Sequence, residues 1–233
     1  MIKITIYNEF FHEQEYEEIR KIYPQGIHNC LKSIFSPAEY SVKTATFFDK
    51  DHGLSEQVLC DTDVLIFWSH AKQDDFSDDV AKRIQNHVLA GMGFIGLHSA
   101  HFSKPMKLLL GTSMSLKWQH GQSEKLWCTA PTHPIAKNIP ECINIPAEEM
   151  YGEFFDIPKP DDVIFTGWFS GGQVFRSGCT WTRGLGKIFY FQPGHEEYPV
   201  YYMDEIRQII KNGADWCYNP DRKKIPLNCI EVK

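Results

Sequence analysis

Three histidines stand just beyond short apolar runs of this sequence: His70 after Asp63-Val64-Leu65-Ile66-Phe67-Trp68, His98 after Gly93-Phe94-Ile95-Gly96-Leu97, and His195 after Gly186-Lys187-Ile188-Phe189-Tyr190-Phe191 and a Gln192-Pro193-Gly194 turn. The first run is uninterrupted after its charged start, the pattern of a parallel strand buried on both faces. If these strands share one sheet, their carboxyl ends bring three imidazoles to one edge, where open α/β sheets bind ligands. The acidic stretch Ala147-Glu148-Glu149-Met150-Tyr151-Gly152-Glu153 supplies a carboxylate to that group, with Glu149 the candidate and Glu148 and Glu153 left open beside it. Imidazole and carboxylate together suit a divalent metal such as zinc, and the same groups can exchange protons with a substrate. No H-E-x-x-H motif is present, so the grouping depends on the fold.

Gly93-Phe94-Ile95-Gly96-Leu97-His98-Ser99-Ala100-His101 is the sharpest of these signals. The strand runs into His98, and a helix start follows at Ser103-Lys104-Pro105, with Pro where a first helical turn tolerates it. Many α/β enzymes carry a nucleophilic Ser or Cys on such an elbow. Here the raised residue is His98. Ser99 is expected to point away from the apex, and none of the seven cysteines sits at a strand-to-helix turn, so covalent catalysis lacks its nucleophile. Neither G-x-x-x-x-G-K-[ST] nor G-x-G-x-x-G occurs, and no nucleotide cofactor is expected.

The elements that must position these groups alternate. Ile2 to Tyr7 reads as a strand, Asn8 to Tyr23 as a polar, acidic loop at the ligand edge, and Ile27 to Phe35 as a helix with His28 near its start. Strands at Tyr40 to Thr46 and Asp63 to Trp68 follow, with a short helix between them at Leu54 to Leu59. Asp74 to Ala90 is the clearest helix, with Ser77 as cap and Gly91 as stop. Strand and helix in turn signify an α/β, doubly wound, mostly parallel sheet with helices on both faces. The rhythm then breaks over about 112–178, which reads as an inserted, partly antiparallel segment of long loops and short strands at Lys125 to Thr129, Val163 to Thr166 and Gly172 to Phe175. Gly186 to Phe191 returns as a strand and Met203 to Trp216 closes the chain as an amphipathic helix.

Composition narrows the class. At 233 residues and 42% hydrophobic, the chain can bury a full core and reads as one domain over 1–233. A net charge of -6, with its basic run Arg222-Lys223-Lys224 in a C-terminal tail, argues against nucleic acid as a partner. No apolar run approaches the ~18 to 20 residues that span a bilayer, so no membrane contact and a cytoplasmic location are expected. The cysteines are odd in number, widely spaced and without a C-x-x-C pair, which favours thiols over disulfides or a structural zinc site.

With these residues in hand the chain resembles the trehalose-utilization (ThuA-like) family of the class I glutamine amidotransferase-like superfamily. The resemblance runs from Ile2 to about Asn219, through Asp63-Val64-Leu65-Ile66 with Trp68 and His70, Gly93 to His98, His133-Pro134-Ile135, Glu148-Glu149-Met150-Tyr151, and Trp181-Thr182-Arg183 through Gly186 to Gly194-His195. It implies a flavodoxin-like fold and a link to disaccharide metabolism. It also implies that glutamine hydrolysis through a thioester is absent, because His98 fills the nucleophile position.

The substrate that the resemblance suggests is trehalose or a related glycoside, including a 3-keto form. On that reading His98, Glu149 and His195 are catalytic and bind the metal, while His28, His70 and His120 complete the shell or hold hydroxyls. Glu149 is chosen because it precedes Met150-Tyr151 as in the family's acidic-Glu-x-Tyr step. Trp68, Trp118, Tyr151 and Trp168 offer flat faces to a sugar, although most aromatics of such a chain serve its core. Arg183 orients a hydroxyl or anionic group, or else makes an ion pair at the sheet surface. The competing readings are a non-catalytic sugar-binding or assembly module, and a homo-oligomeric scaffold using the aromatic insertion as its interface. Convergence of His98, His195 and Glu149 on one point favours the enzyme, and scatter favours the module.

Overall fold

The computed structural model describes residues 1–222, so Lys223, Lys224 and Cys229 lie outside the described residues. Strands β1 (Ile2–Asn8), β2 (Tyr40–Thr46), β3 (Val64–Trp68) and β4 (Gly93–Leu97) run parallel in the order β2-β1-β3-β4. The chain next forms β5 (Lys117–Cys128), β6 (Cys142–Gly152), β7 (Asp162–Phe169) and β8 (Val174–Arg183), and then β9 (Gly186–Phe191) pairs in parallel with β4. All nine belong to one sheet, ordered β2-β1-β3-β4-β9-β8-β7-β5-β6, and every pairing from β9 outward to β6 is antiparallel.

Helices α1 (His12–Glu15), α2 (Glu17–Ile22), α3 (Ile27–Lys32), α4 (Glu56–Cys60), α5 (Asp78–Leu89), α6 (Lys104–Leu110) and α7 (Asp204–Cys217) complete the α/β fold. Side chains along β3 alternate between the two faces, as strand geometry requires. Val64, Ile66 and Trp68 join a core that includes residues of α3 and α7, while Leu65 and Phe67 join the opposite one with residues of α5 and α6. Burial on both faces is why the run is continuously apolar. The Ser77 hydroxyl caps α5 by accepting the Val80 N–H, as expected from sequence. No described helix is long and apolar enough to cross a membrane, and no disulfide joins the described cysteines.

Three expectations need correction. The stretch from Asn8 to Tyr23 contains α1 and α2, helices of four and six residues, too short to show a periodic stripe. The insertion is mostly strand, and β5 and β6 run for 12 and 11 residues. Most exposed positions on β5 are polar, Trp118 and Trp127 excepted, and its pairing to β6 has register shifts, so the pattern marked only the end of β5 from Lys125. Finally, β8 continues past 178 to Arg183, which pairs with Gly186 at the start of β9.

Although β6 is last in strand order, it reaches back to the parallel half: Gln192, just after β9, donates from Nε2 to the Glu149 carbonyl at 3.0 Å. The antiparallel half therefore bends over the carboxyl edge. The His133-Pro134-Ile135 step lies elsewhere, as a short 3-10 turn docked on α7. There Asn212, buried in α7, donates from Nδ2 to the carbonyls of Ile135 (2.9 Å) and Lys137 (2.8 Å). Asn212→Ala removes the donor for both and is expected to cost about 1–3 kcal/mol. Urea denaturation should show a lower midpoint with an unchanged m-value, and an unchanged midpoint would refute this anchoring role.

Candidate active site

The carboxyl ends of four parallel strands lie along one edge of the sheet. β1 is followed by Glu9, β3 by Ser69 and His70, β4 by His98, and β9 by Gln192 to Glu196. At the elbow His98 has φ 50°, in the left-handed region that non-glycine residues seldom occupy. This turn lifts the imidazole over the sheet edge, where it is fully buried. The His98 Nδ1–H donates to the Gln192 carbonyl at 2.7 Å, leaving Nε2 toward Glu149 Oε2 (3.0 Å) and the Tyr151 hydroxyl (3.2 Å). Glu149 and Tyr151 are two apart on β6 and so share a face.

Glu149 Oε1 lies 3.9 Å from His195 Nε2 and 3.7 Å from His120 Nδ1. His120 reaches this point from an irregular part of β5, between Gln119 and Gln122, where Gly121 has φ 77°. Burial works against the charge on Glu149, but the hydrogen bond and charge of His98 outweigh it and bring the carboxyl down to about 2. The same pairing overcomes burial at His98 and raises its pKa. His195 shows the opposite balance, because burial takes it down to about 3 despite the neighbouring carboxylates. Its Nε2 is buried with no hydrogen-bond partner.

The cleft has a volume of about 340 Å³, at the small end of the ~300–1,000 Å³ usual for ligand sites. His70, His120, Glu149 and Tyr151 line it, together with Trp118, Ser99 and His101. His98, Glu149 and His195 offer ligand atoms that all lie within 4.8 Å of one another. This donor set fits a divalent cation, and the His98 bond to a backbone carbonyl is the kind that orients a metal-ligating imidazole.

The remaining candidates separate. His28 is buried against Phe10, with Nδ1 3.1 Å from Asn8 Nδ2, and does not line the cleft. Trp68 is 1% exposed and donates from Nε1 to the Gly194 carbonyl at 3.1 Å, so it supports the His195 loop and offers no face to a ligand. Arg183 is at the opposite end of β9 from His195, with Nε donating to the Leu109 carbonyl at 3.2 Å; a long side chain at that edge cannot reach the cleft. Trp168 faces Lys125 on the antiparallel half, outside the cleft lining. Ser99 does not turn away from the site: its Oγ is 3.1 Å from the Tyr151 hydroxyl.

Of the acidic alternatives, Glu153 is held by Arg176 at 2.8 Å. Glu148 accepts backbone N–H groups instead, and Glu149 alone of the three lines the cleft. Sequence reasoning missed Glu9, His12, His101 and Glu196. The acidic Glu196-Glu197 pair directly after His195 was the available signal.

The profile of the ThuA family, described as trehalose utilisation, matches residues 3–217. ThuA-like protein from Parabacteroides merdae ATCC 43184 is 14% identical with a TM-score of 0.71, over 99% of this chain and 92% of that one. Its counterpart from Bacteroides uniformis ATCC 8492 is 16% identical with a TM-score of 0.66, over 93% and 91%. PurLQS from Thermotoga maritima is 10% identical with a TM-score of 0.54, over 92% and 98%, a likeness of fold. No curated protein matches the chain. A profile match over nearly the whole length, on a sheet edge built from His70, His98, Glu149 and His195, places this chain in the ThuA, trehalose-utilisation, family.

Proposed function

We propose that this protein is a carbohydrate-processing enzyme, acting on a disaccharide or keto-glycoside such as trehalose or its 3-keto form, at a centre where His98, Glu149 and His195 hold a divalent cation such as zinc. The observation that carries the reading is the meeting of one carboxylate and two imidazoles beside an open cleft. A bound cation supplies Lewis-acid polarisation of a sugar oxygen. His98 keeps Nε2 toward the site because Nδ1 is committed to Gln192, while Glu149 turns Oε1 toward His120 and His195. Trp118, 61% exposed beside the cleft, presents a flat apolar face to a sugar ring. His101 donates its Nδ1–H to the Met114 carbonyl at 2.7 Å, which fixes the tautomer and leaves Nε2 as an acceptor for a hydroxyl. Glutamine hydrolysis has no elbow nucleophile, since the raised residue is an imidazole.

One contact favours a cation-free form of the same chemistry. The Glu197 N–H reaches His195 Nδ1 at 3.2 Å, which places the ring proton on Nε2 and makes His195 a proton donor. Were His195 to hold a cation through Nε2, its ring proton would sit on Nδ1, with the Glu197 carboxylate, 4.0 Å away, as the acceptor at hand.

Elemental analysis of the tag-free protein separates the two. The cation reading expects about one ion per chain, lost in His98→Ala and in His195→Ala. A wild-type protein that takes up no zinc or manganese on incubation would leave acid/base chemistry alone. A second prediction concerns His101, which burial brings down to about 3 from an ordinary value near ~6.5. The folded chain keeps this ring neutral while the unfolded chain protonates it, so its contribution to stability is complete above ~6.5 and is lost as pH falls toward 3. Urea unfolding at pH 7, 5 and 4 should show a shallower acid loss in His101→Gln than in wild type, and parallel curves would contradict this assignment.

A further inference from the structure

A second group of metal-type donors stands beside this centre and shares none of its residues: His12, His70 and Glu196. Their ligand atoms all lie within 4.8 Å of one another. Nδ1 of His70 is 2.7 Å from Glu196 Oε1, and Nδ1 of His12 meets the same oxygen. The two rings stand edge to face, with centroids 5.2 Å apart. Separate segments bring these groups together. His12 opens α1, His70 follows β3, and Glu196 lies in the loop after β9. The carboxylate of Glu9 fixes the His70 segment by accepting the backbone N–H groups of His70 and Ala71, both at 2.8 Å. Glu148 fixes the Glu196 loop through the N–H groups of Gly194 and His195. Glu196 is 1% exposed, and its Oε2 is buried with no hydrogen-bond partner. A buried carboxylate with an unspent oxygen carries a desolvation cost that a bound cation offsets. The imidazoles give an ion its way in, because the His70 side chain is 31% exposed and lines the cleft, and that of His12 is 18% exposed.

We infer that His12, His70 and Glu196 form a second divalent-cation site, separate from His98, Glu149 and His195, which takes zinc or a similar ion through the two Nδ1 atoms and the carboxylate. Two imidazoles and one carboxylate are a donor set of catalytic zinc, which keeps its fourth position open. Ligand atoms around a tetrahedral zinc are roughly 3.3 Å apart, so the ion widens the 2.7 Å contact by roughly 0.6 Å. It also takes the place of the ring protons between nitrogen and oxygen. That exchange makes this the weaker of the two sites, filled only when zinc is added. The sites are neighbours, since His195 and Glu196 are consecutive and the rings of His70 and His195 have centroids 5.2 Å apart. Adjacent cations are the arrangement by which two oxygens of one ligand are engaged at once.

The test uses the full chain, stripped of metal and titrated with zinc alone against a chromophoric chelator, with thermal melts of the metal-free proteins to establish folding. Wild type should take up two ions per chain in two steps. Glu196→Gln and His12→Ala should each lose the weaker step and keep the tighter one, and His98→Ala should do the reverse. A weaker step undiminished in both Glu196→Gln and His12→Ala would overturn this site, because that ion then lies elsewhere. One ion in wild type, abolished by His98→Ala and unchanged in Glu196→Gln, would also overturn it and leave the proposed centre standing. A single ion lost in all three variants would likewise refute a separate second site. One ion kept in His98→Ala but lost in Glu196→Gln would uphold this site and overturn that centre instead. No ion in wild type would overturn both. Should Glu196→Gln fail to fold, His12→Ala decides by the same readings.

Discussion

The carboxylate of Glu148 is the contact on which the site depends. It is fully buried on β6 and accepts the backbone N–H groups of Glu149 (2.8 Å), Gly194 (2.7 Å) and His195 (3.2 Å). One side chain thus joins the outermost antiparallel strand to the loop that carries His195, across the whole width of the sheet extension. Burial pushes its pKa up to about 7, which measures how strongly the position disfavours charge. The three N–H groups offset that penalty, and Glu148 satisfies backbone donors that would each cost about 1–3 kcal/mol if left unmade. Gly194 completes the arrangement. Its φ of 134° and a Cβ position only 2.0 Å from the Tyr201 hydroxyl leave room for no side chain.

Around that brace, identical side chains are shifted in opposite directions by their partners. His98 and His70 each face a carboxylate at hydrogen-bond distance, and that pairing outweighs burial and raises both. His195 and His101 are buried without such a bond, and burial brings each down to about 3. Glu149 and Glu196 sit low because imidazoles donate to them, whereas Glu9 is raised by burial although backbone donors work against the shift. Rings pushed in opposite directions therefore stand side by side, with ring centroids of His98 and His195 5.2 Å apart. Such separation of neighbouring titratable groups is the arrangement from which acid, base and ligand roles are drawn.

The sequence made the parallel half legible because its signals are local. A strand buried on both faces is an apolar run, α5 announces itself by Ser77 and its stripe, and the elbow is marked by small residues before His98 and Pro105 after it. His70, His98 and His195 followed directly, since each ends such a strand. β6 and the first part of β5 were obscured for a physical reason: β5 shows mostly polar residues to solvent and breaks register where His120 projects. His12 lies in a four-residue helix with no periodicity to read. Trp68 and Arg183 were misplaced because sequence gives the element but not which end or face meets the cleft. The family resemblance named the fold that is observed and picked Glu149, which of the three carboxylates lines the cleft, and it also drew in Arg183, whose contacts here are structural.

His98 stands on a strained strand-to-helix elbow, a place where a nucleophile can be presented. A nucleophile must stay accessible to its substrate, yet His98 is fully buried, with one nitrogen on Gln192 and the other between Glu149 and Tyr151. Backbone strain at φ 50° is then retained not to present a reactive atom but to fix the direction of a lone pair or proton relative to Glu149. The cleft meets the carboxylate instead, between His120 and His195. The antiparallel extension crosses the sheet's width and bends back, and so β6 sets Glu149 beside His98.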